Sequence, residues 1–206
     1  MATPPSEAGR PRGWRAAVFK NRGLLLVPVA LVLVIFGKPT AASAAAGIAL
    51  AALGELVRIW AVGYSGMTTR ADVVVAPQLV TAGPYAYLRN PLYAGNAITA
   101  IGFWLAFSGG VSPAVSALML AALVVSIGFV YATIIPLEEA YLTRTFGAEY
   151  AEYVARVPRV IPSRGALPAA RRRGTWRREV IVHAEIVTLA FFALMTVAVL
   201  VKLRPV

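Results

Sequence analysis

The stretch VIVHAEIVTLAFFALMTVAVLVKL, residues Val180 to Leu203, decides the fold class of this chain. It is long enough to cross a bilayer, which takes about 20 mostly apolar residues, and its ionisable side chains are His183, Glu185 and Lys202. The whole chain has the same bias: 59% of its 206 residues are hydrophobic and only 14% are charged. Soluble domains are about half apolar and about a quarter charged, so an ordinary soluble domain and a disordered chain are excluded.

Four further apolar stretches precede the last one: Gly23–Gly37, Ala41–Tyr64, Leu92–Ser108 and Ser112–Pro136. The turn signal Gly-Gly-Val-Ser-Pro at 109–113 makes the last two of these a helical hairpin, and Lys-Pro-Thr at 38–40 separates the first two. We predict an all-α, polytopic membrane protein with about five spans, with four as the alternative. A cleaved signal peptide ending near 42–45 is the rival interpretation of the N-terminus; a retained span is favoured because the next segment is again apolar.

The charges predict an orientation. The chain carries a formal charge of +11, and with the N-terminus in the cytoplasm sixteen of its 20 lysines and arginines fall on the cytoplasmic side and three on the other. We therefore expect a multi-pass protein of the cell membrane with its polar segments, 65–91 and 137–179, in the cytoplasm. With this hydropathy the basic balance does not indicate nucleic-acid binding. No cysteine and a single histidine exclude thiol chemistry and make a metal centre unexpected.

The two polar segments hold the candidate chemistry. The first contains QLVTAGPYAYLRNPLYAG at 78–95, an extended Leu-Val-Thr piece, a Gly-Pro turn, and tyrosines with an arginine at a membrane entry. An aromatic belt with a snorkelling arginine is the plain alternative. The second contains LEEAYLTRTFGAEYAEY at 137–153, where we expect a bend at Pro136, carboxylates that cap a helix or meet a cation, and a helix stop at Gly147.

Together these blocks resemble the isoprenylcysteine carboxyl methyltransferase and phospholipid N-methyltransferase family of integral membrane enzymes. The resemblance lies in Leu79–Tyr93, Glu138–Tyr150 and Val157–Arg159, and it covers roughly residues 45–162. It implies methyl transfer from S-adenosylmethionine, bound on the cytoplasmic side in a pocket formed by 65–91 and 137–162. The implied catalytic residues are Glu138 and Arg89, and the implied cofactor-binding residues are Pro77, Gln78, Leu79, Val80, Tyr85, Arg89, Asn90, Tyr93 and Glu138.

The chemistry of these side chains agrees with that cofactor. Arg89 suits its carboxylate, while tyrosine faces and Glu138 suit its ammonium and sulfonium groups. Methyl transfer needs alignment and a water-poor site more than an acid or base, so the scarcity of histidine is no objection.

Three positions depart from the family pattern. Pro77 and Asn90 stand where histidine is common, and Ile134 stands where prenylcysteine enzymes place an arginine suited to the acceptor carboxylate. We expect a lipophilic, membrane-embedded acceptor that enters from the bilayer. A phospholipid amine or a phenolic lipid is as good a candidate as a carboxylate. The alternatives to an enzyme of this kind are a non-catalytic lipid-binding scaffold and an NADPH-dependent sterol reductase.

The chain divides into a basic cytoplasmic tail at 1–22, a methyltransferase core at 23–162, a basic linker at 163–179 and an additional helix at 180–206. We expect the linker to contact anionic headgroups through Arg171–Arg178, with Trp176 as a membrane anchor. Glu55 and Arg58 are expected to pair with each other, and His183 and Glu185 to be a solvated cap. The sequence leaves the oligomeric state and the purpose of the last span open.

Overall fold

The computed structural model describes residues 13–66 and 76–203. Within these ranges there is no strand, which confirms the all-α class. The helices are α1 (Trp14–Lys20), α2 (Val27–Phe36), α3 (Ala41–Ser65), α4 (Pro91–Ser108), α5 (Pro113–Arg156) and α6 (Glu179–Leu203). Most of the predicted N-terminal tail, Arg70 and Arg204 lie outside the described residues.

Three helices, α3, α5 and α6, are long and apolar enough to cross a membrane. A fourth crossing results if α1 and the segment Leu24–Phe36 are counted as one span, although these two are bent by 83°. The predicted count of five is therefore not reached: α4 has 18 residues but carries Asn96 and Thr99 and is not among the candidates. The predicted span Gly23–Gly37 is a short helix instead, because Pro28, which has no N–H, fits only its first turn.

Helix α5 continues through Pro136, and the predicted bend at this proline stays a prediction. The helix breaks at Gly147, where φ is +50° and ψ is −120°, which confirms the predicted helix stop. Glu138 and Glu139 therefore lie inside a helix and cap none. At about 1.5 Å per residue the part of α5 before Gly147, residues 113–146, extends for about 51 Å, so it is already longer than a hydrocarbon core of about 30 Å.

Helices α3 and α4 are antiparallel and touch along glycines. A Cβ atom on Gly47 would collide with the backbone of Gly102 and Ala106, and one on Gly54 would collide with Gly95 and Thr99. Small residues are the usual means of close helix approach in membranes, where the apolar lipid supplies no hydrophobic drive for association. This contact fixes the position of every side chain that the two helices present to the interior.

The segment 163–178 crosses the loop at 76–90 rather than lying free. The amides of Thr81 and Ala82 donate to the carbonyl of Arg173, and the Leu167 amide donates to Ala86 at 2.8 Å. The ring of Trp176 fills the space above Gly63 of α3. Gly63 leaves room for the indole, so one side of Trp176 packs on protein, while 42% of the residue is exposed and its role as a membrane anchor stays a prediction.

Two of the arginines in this segment are paired within the protein. Arg171 binds Glu152, and Arg173 binds Glu149, both on the part of α5 beyond Gly147. A lipid-headgroup role stays a prediction for the remaining arginines of Arg171–Arg178.

We expect Gly54→Leu to destabilise the protein by about 2 kcal/mol, because the added side chain would force α3 and α4 apart. The control is Gly128→Ala on α5, where a Cβ atom meets nothing within 4 Å. It should change stability by less than about 1 kcal/mol. Thermal unfolding of the two variants in detergent tests the difference, and equal midpoints would refute the glycine contact.

Candidate active site

One cavity of about 810 Å³ lies between the loop at 76–90 and helices α2 to α6. Its volume is in the range of sites that enclose a cofactor-sized molecule. The structure brings all nine predicted site residues to its wall: Pro77, Gln78, Leu79, Val80, Tyr85, Arg89, Asn90, Tyr93 and Glu138. Their roles stay a prediction, but residues that are distant along the sequence share one space.

The loop at 76–90 forms the outer wall of this cavity. It is anchored by Leu79 and Ala86, which are buried against Tyr150, Tyr153 and neighbouring apolar residues. The Tyr153 hydroxyl also donates to the backbone carbonyl of Tyr85 at 2.7 Å. Burial raises the pKa of the Tyr85 phenol well above its ordinary value, so this group is a protonated donor at any physiological pH.

The expected extended piece at 77–80 leaves its backbone available. Thr81 and Ala82 are bonded to Arg173, whereas no backbone hydrogen bond joins 77–80 to any other described residue. Backbone N–H and C=O groups are strong and obligatory hydrogen-bonding groups. This piece of the wall therefore offers a row of donors and acceptors to a bound molecule.

Glu139 holds two arginines. It accepts from Arg89 Nε at 3.1 Å, from Asn90 Nδ2 at 3.3 Å and from Arg159. The backbone reinforces this cluster, since the amides of Arg89 and Asn90 donate to the carbonyls of Pro158 and Arg159. The hydrogen bond to Glu139 raises the pKa of Arg159.

Sequence analysis expected Arg89 to bind the carboxylate of the cofactor, whereas in the structure Arg89 already binds Glu139. Two guanidinium groups share one carboxylate, so the cluster retains one positive charge at the edge of the cavity. Arg89 is braced by Glu139 and by the Val154 carbonyl rather than being an unoccupied anion ligand.

Glu138 faces the opposite way from its neighbour, into the cavity. Its Oε1 accepts from the Tyr93 hydroxyl at 2.8 Å, and the ring of Tyr93 lies 4.7 Å from that of Tyr131. Successive residues on a helix point about 100° apart, which is why the two adjacent glutamates serve different partners. The cavity thus has a carboxylate, Glu138, on one wall and Arg89, the arginine of the Glu139 cluster that lines the cavity, on another.

A second polar layer lies deeper, and sequence analysis missed it. Arg58 pairs with Glu185 of α6 at 2.8 Å, whereas Glu55 is 3.9 Å away. Glu185 is fully buried, so its expected role as a solvated cap is wrong; His183 is exposed. The available signal was a glutamate inside an apolar span, which is costly in a membrane without a cationic partner.

The cavity residues fit S-adenosylmethionine on their own chemistry. Free backbone groups at 77–80 match an adenine edge, the Arg89–Glu139–Arg159 cluster matches a carboxylate, and Glu138 with Tyr93 matches an ammonium or sulfonium. A zinc or iron site has no comparable support: no group of three or more His, Cys, Asp or Glu within the described ranges could hold a metal.

Comparisons with known proteins identify a family and several relatives of this chain. A model of the phospholipid methyltransferase family matches residues 42–149, which is just over half of the chain. A protein-S-isoprenylcysteine O-methyltransferase B of Arabidopsis thaliana is 31% identical over 120 residues, 56% of this chain and 57% of that protein. A protein-S-isoprenylcysteine O-methyltransferase of Schizosaccharomyces pombe is 38% identical over 84 residues, 41% of this chain and 33% of that protein.

A third relative has a different name. The cobalt-zinc-cadmium resistance protein CzcN of Cupriavidus metallidurans is 30% identical over 131 residues, 63% of this chain and 51% of that protein. The chain spans about half the length of the first two curated relatives it matches. No solved structure matches the chain significantly.

We expect Glu139→Gln to lower stability by about 3 kcal/mol, because it removes the one anion shared by Arg89 and Arg159 in a largely buried position. The matched control is Glu149→Gln, whose ion pair with Arg173 is exposed on both sides. Such a pair is worth about 0–1 kcal/mol. Unfolding midpoints in detergent measure the stability of both variants, and an equal loss of stability would contradict the inference that Glu139 holds Arg89 and Arg159 in place.

Proposed function

The chain belongs to the phospholipid methyltransferase family, and from that premise we propose that it transfers a methyl group from S-adenosylmethionine to a lipophilic acceptor held in the membrane. One observation carries the proposal: loop 76–90 and the outer half of α5 bring a net positive cluster and a separate carboxylate to the wall of one cavity. S-adenosylmethionine carries a carboxylate and two cationic groups, and this polarity matches it.

The proposed cofactor contacts follow from the geometry. Backbone groups of Gln78, Leu79 and Val80 bind the adenine edge. The cluster around Glu139 attracts the cofactor carboxylate through its excess positive charge. Glu138, held by the Tyr93 hydroxyl, lies against the ammonium and sulfonium end. Tyr85 stays protonated and donates.

When bound, S-adenosylmethionine would supply a methyl group on a positively charged sulfur, and in-line attack by an acceptor atom would replace the carbon–sulfur bond and leave its electron pair on a neutral thioether. The protein aligns the two reactants and excludes water. An acceptor hydroxyl or amine releases its proton in the same process.

The lower cavity suits a lipophilic acceptor. Its wall there is apolar and is built from α2, α4, α5 and α6, with Val29, Leu33, Phe103, Leu123, Ile127, Phe191 and Met195. Around it α6 presents mostly exposed apolar side chains, such as Val182, Ile186 and Leu194, of a kind that faces lipid. The acceptor therefore reaches the site laterally from the bilayer.

Calorimetric titration of the detergent-purified full chain with S-adenosylhomocysteine and with NADPH tests the methyl donor. We expect micromolar binding of S-adenosylhomocysteine and none of NADPH. Glu138→Gln should weaken the binding of S-adenosylhomocysteine at least about tenfold, because the ammonium end of this ligand then loses the carboxylate that it contacts. Glu179→Gln, an exposed glutamate at the start of α6, is the control and should bind normally.

Each outcome decides between the candidates. Folded protein that binds NADPH instead would support a reductase, and protein that binds neither would support a lipid-binding scaffold. Normal binding by Glu138→Gln would disprove the assignment of Glu138 while leaving the methyl donor in place.

A further inference from the structure

The inner part of the cavity carries an ion pair that methyl transfer itself does not require. Nη2 of Arg58 donates to both carboxylate oxygens of Glu185 at 2.8 Å, and Nε donates to one of them at 3.3 Å. The Glu185 side chain is 0% exposed and that of Arg58 is 11% exposed. Ionisable residues inside a membrane-spanning bundle are costly, and they usually mark a functional position.

Two further side chains contact the guanidinium group of Arg58. Its Nη1 donates to Asn96 Oδ1, and its Nη2 lies 3.3 Å from the Thr188 hydroxyl. Arg58, Asn96 and Thr188 line the cavity, whereas Glu185 lies behind them and is not part of the wall. Glu185 can therefore act on a bound molecule only through Arg58.

The Tyr131 hydroxyl lies at the same place. It is buried in the cavity wall and faces the Asn96 side chain, which also accepts from Arg58. A phenol hydroxyl donates one hydrogen bond and can accept others, so it can also bind a ligand group that lies between Tyr131 and Arg58.

This layer lies next to the proposed methyl-transfer position. Asn96 is three residues after Tyr93 on α4, which is about 4.5 Å along the helix and on nearly the same face. Tyr93 in turn donates to Glu138 and packs on Tyr131. An acceptor group held by the deeper layer therefore lies within one helical turn of the cofactor end of the cavity.

The charges around Arg58 indicate which chemical group of an acceptor can bind there. The guanidinium charge of Arg58 is already matched by Glu185, and Glu55 lies 3.9 Å from its Nε. At this level α5 contributes Val130 and Tyr131, neither of which is cationic. Lys20, Arg22 and Arg177 also line the cavity, but Arg22 acts on Glu138 and Tyr93 of the outer layer, and Arg58 is the cation that acts on Tyr131. A second anion would meet two carboxylates in a poorly screened site, whereas an uncharged hydroxyl would gain hydrogen bonds at a much lower desolvation cost.

We propose that Arg58, Asn96 and Tyr131 form the acceptor-recognition site, that this site takes an uncharged hydroxyl-bearing lipid, and that Glu185 is a positioning residue that fixes Arg58 and cancels its charge. The assignment deepens the proposed function and rests on it. It also gives the helix that lies beyond the matched family region, α6, a part in acceptor choice.

The test uses two probes with one chain and different ends: S-farnesyl-2-mercaptoethanol, which has a hydroxyl, and S-farnesylthioacetate, which has a carboxylate. Each is titrated by calorimetry into the full-length protein, with and without saturating S-adenosylhomocysteine. Wild-type protein should bind the hydroxyl probe at least about tenfold more tightly than the carboxylate probe. Glu185→Gln should shift this ratio at least about tenfold towards the carboxylate, because the charge of Arg58 is then unmatched.

The control is Glu179→Gln, the same chemical change at an exposed position of α6, which should leave the ratio unchanged. Binding of S-adenosylhomocysteine should be the same in all three proteins. A purely structural role for Glu185 would weaken both probes equally, and that result would overturn the proposal. The proposal would also be overturned if wild-type protein bound the carboxylate probe more tightly than the hydroxyl probe, or bound neither probe.

If Glu185→Gln does not fold, the double variant Arg58→Gln/Glu185→Gln tests whether Arg58 binds the acceptor, since it retains hydrogen-bonding groups at both positions without either charge. It should bind the hydroxyl probe at least about tenfold more weakly than wild type, and unchanged binding would overturn the proposal. Absence of S-adenosylhomocysteine binding by wild type would contradict the methyl donor instead. The titrations without it would still test the acceptor site.

Discussion

The close contact of α3 with α4 is the constraint on which the rest of the structure depends. Gly54 meets Gly95 and Thr99 so closely that no side chain fits between the two helices. Because the backbones are in contact, Arg58 on α3 and Asn96 on α4 lie side by side. The cavity wall is thus set by steric fit, which tolerates little change in a close-packed interior.

Charge compensation organises the space that this contact creates. The outer layer separates Glu138 from the cluster around Glu139, so it offers both signs of charge to one molecule. The inner layer instead joins opposite charges, Arg58 and Glu185, in a single buried pair. The two arrangements suit different ligands: a separated pair suits a zwitterionic or cationic one, and a closed pair suits a neutral one.

A site residue could be predicted when it lies close in the sequence to the other residues of the site, and not when its partner is distant in the sequence. Residues such as Tyr85 and Asn90 fall within one short block, so a local motif was enough to identify them. Glu185 finds its partner Arg58 127 residues away, and no local pattern links them. Arg89 was found, but its brace was not, because Glu139 is adjacent to Glu138 and only the turn of the helix decides which glutamate faces inward.

The sequence by itself determined that this is an all-α membrane chain and which two polar blocks carry its chemistry, because hydropathy and motif spacing are properties of contiguous residues. It also predicted the helix stop at Gly147, where α5 breaks, because a glycine adopts a positive φ without strain. It did not determine how the linker lies, which packs across the loop at 76–90 through hydrogen bonds from the Thr81 and Ala82 amides to the Arg173 carbonyl. Only the tertiary structure decided this feature, since it depends on which distant backbone groups come within hydrogen-bonding reach.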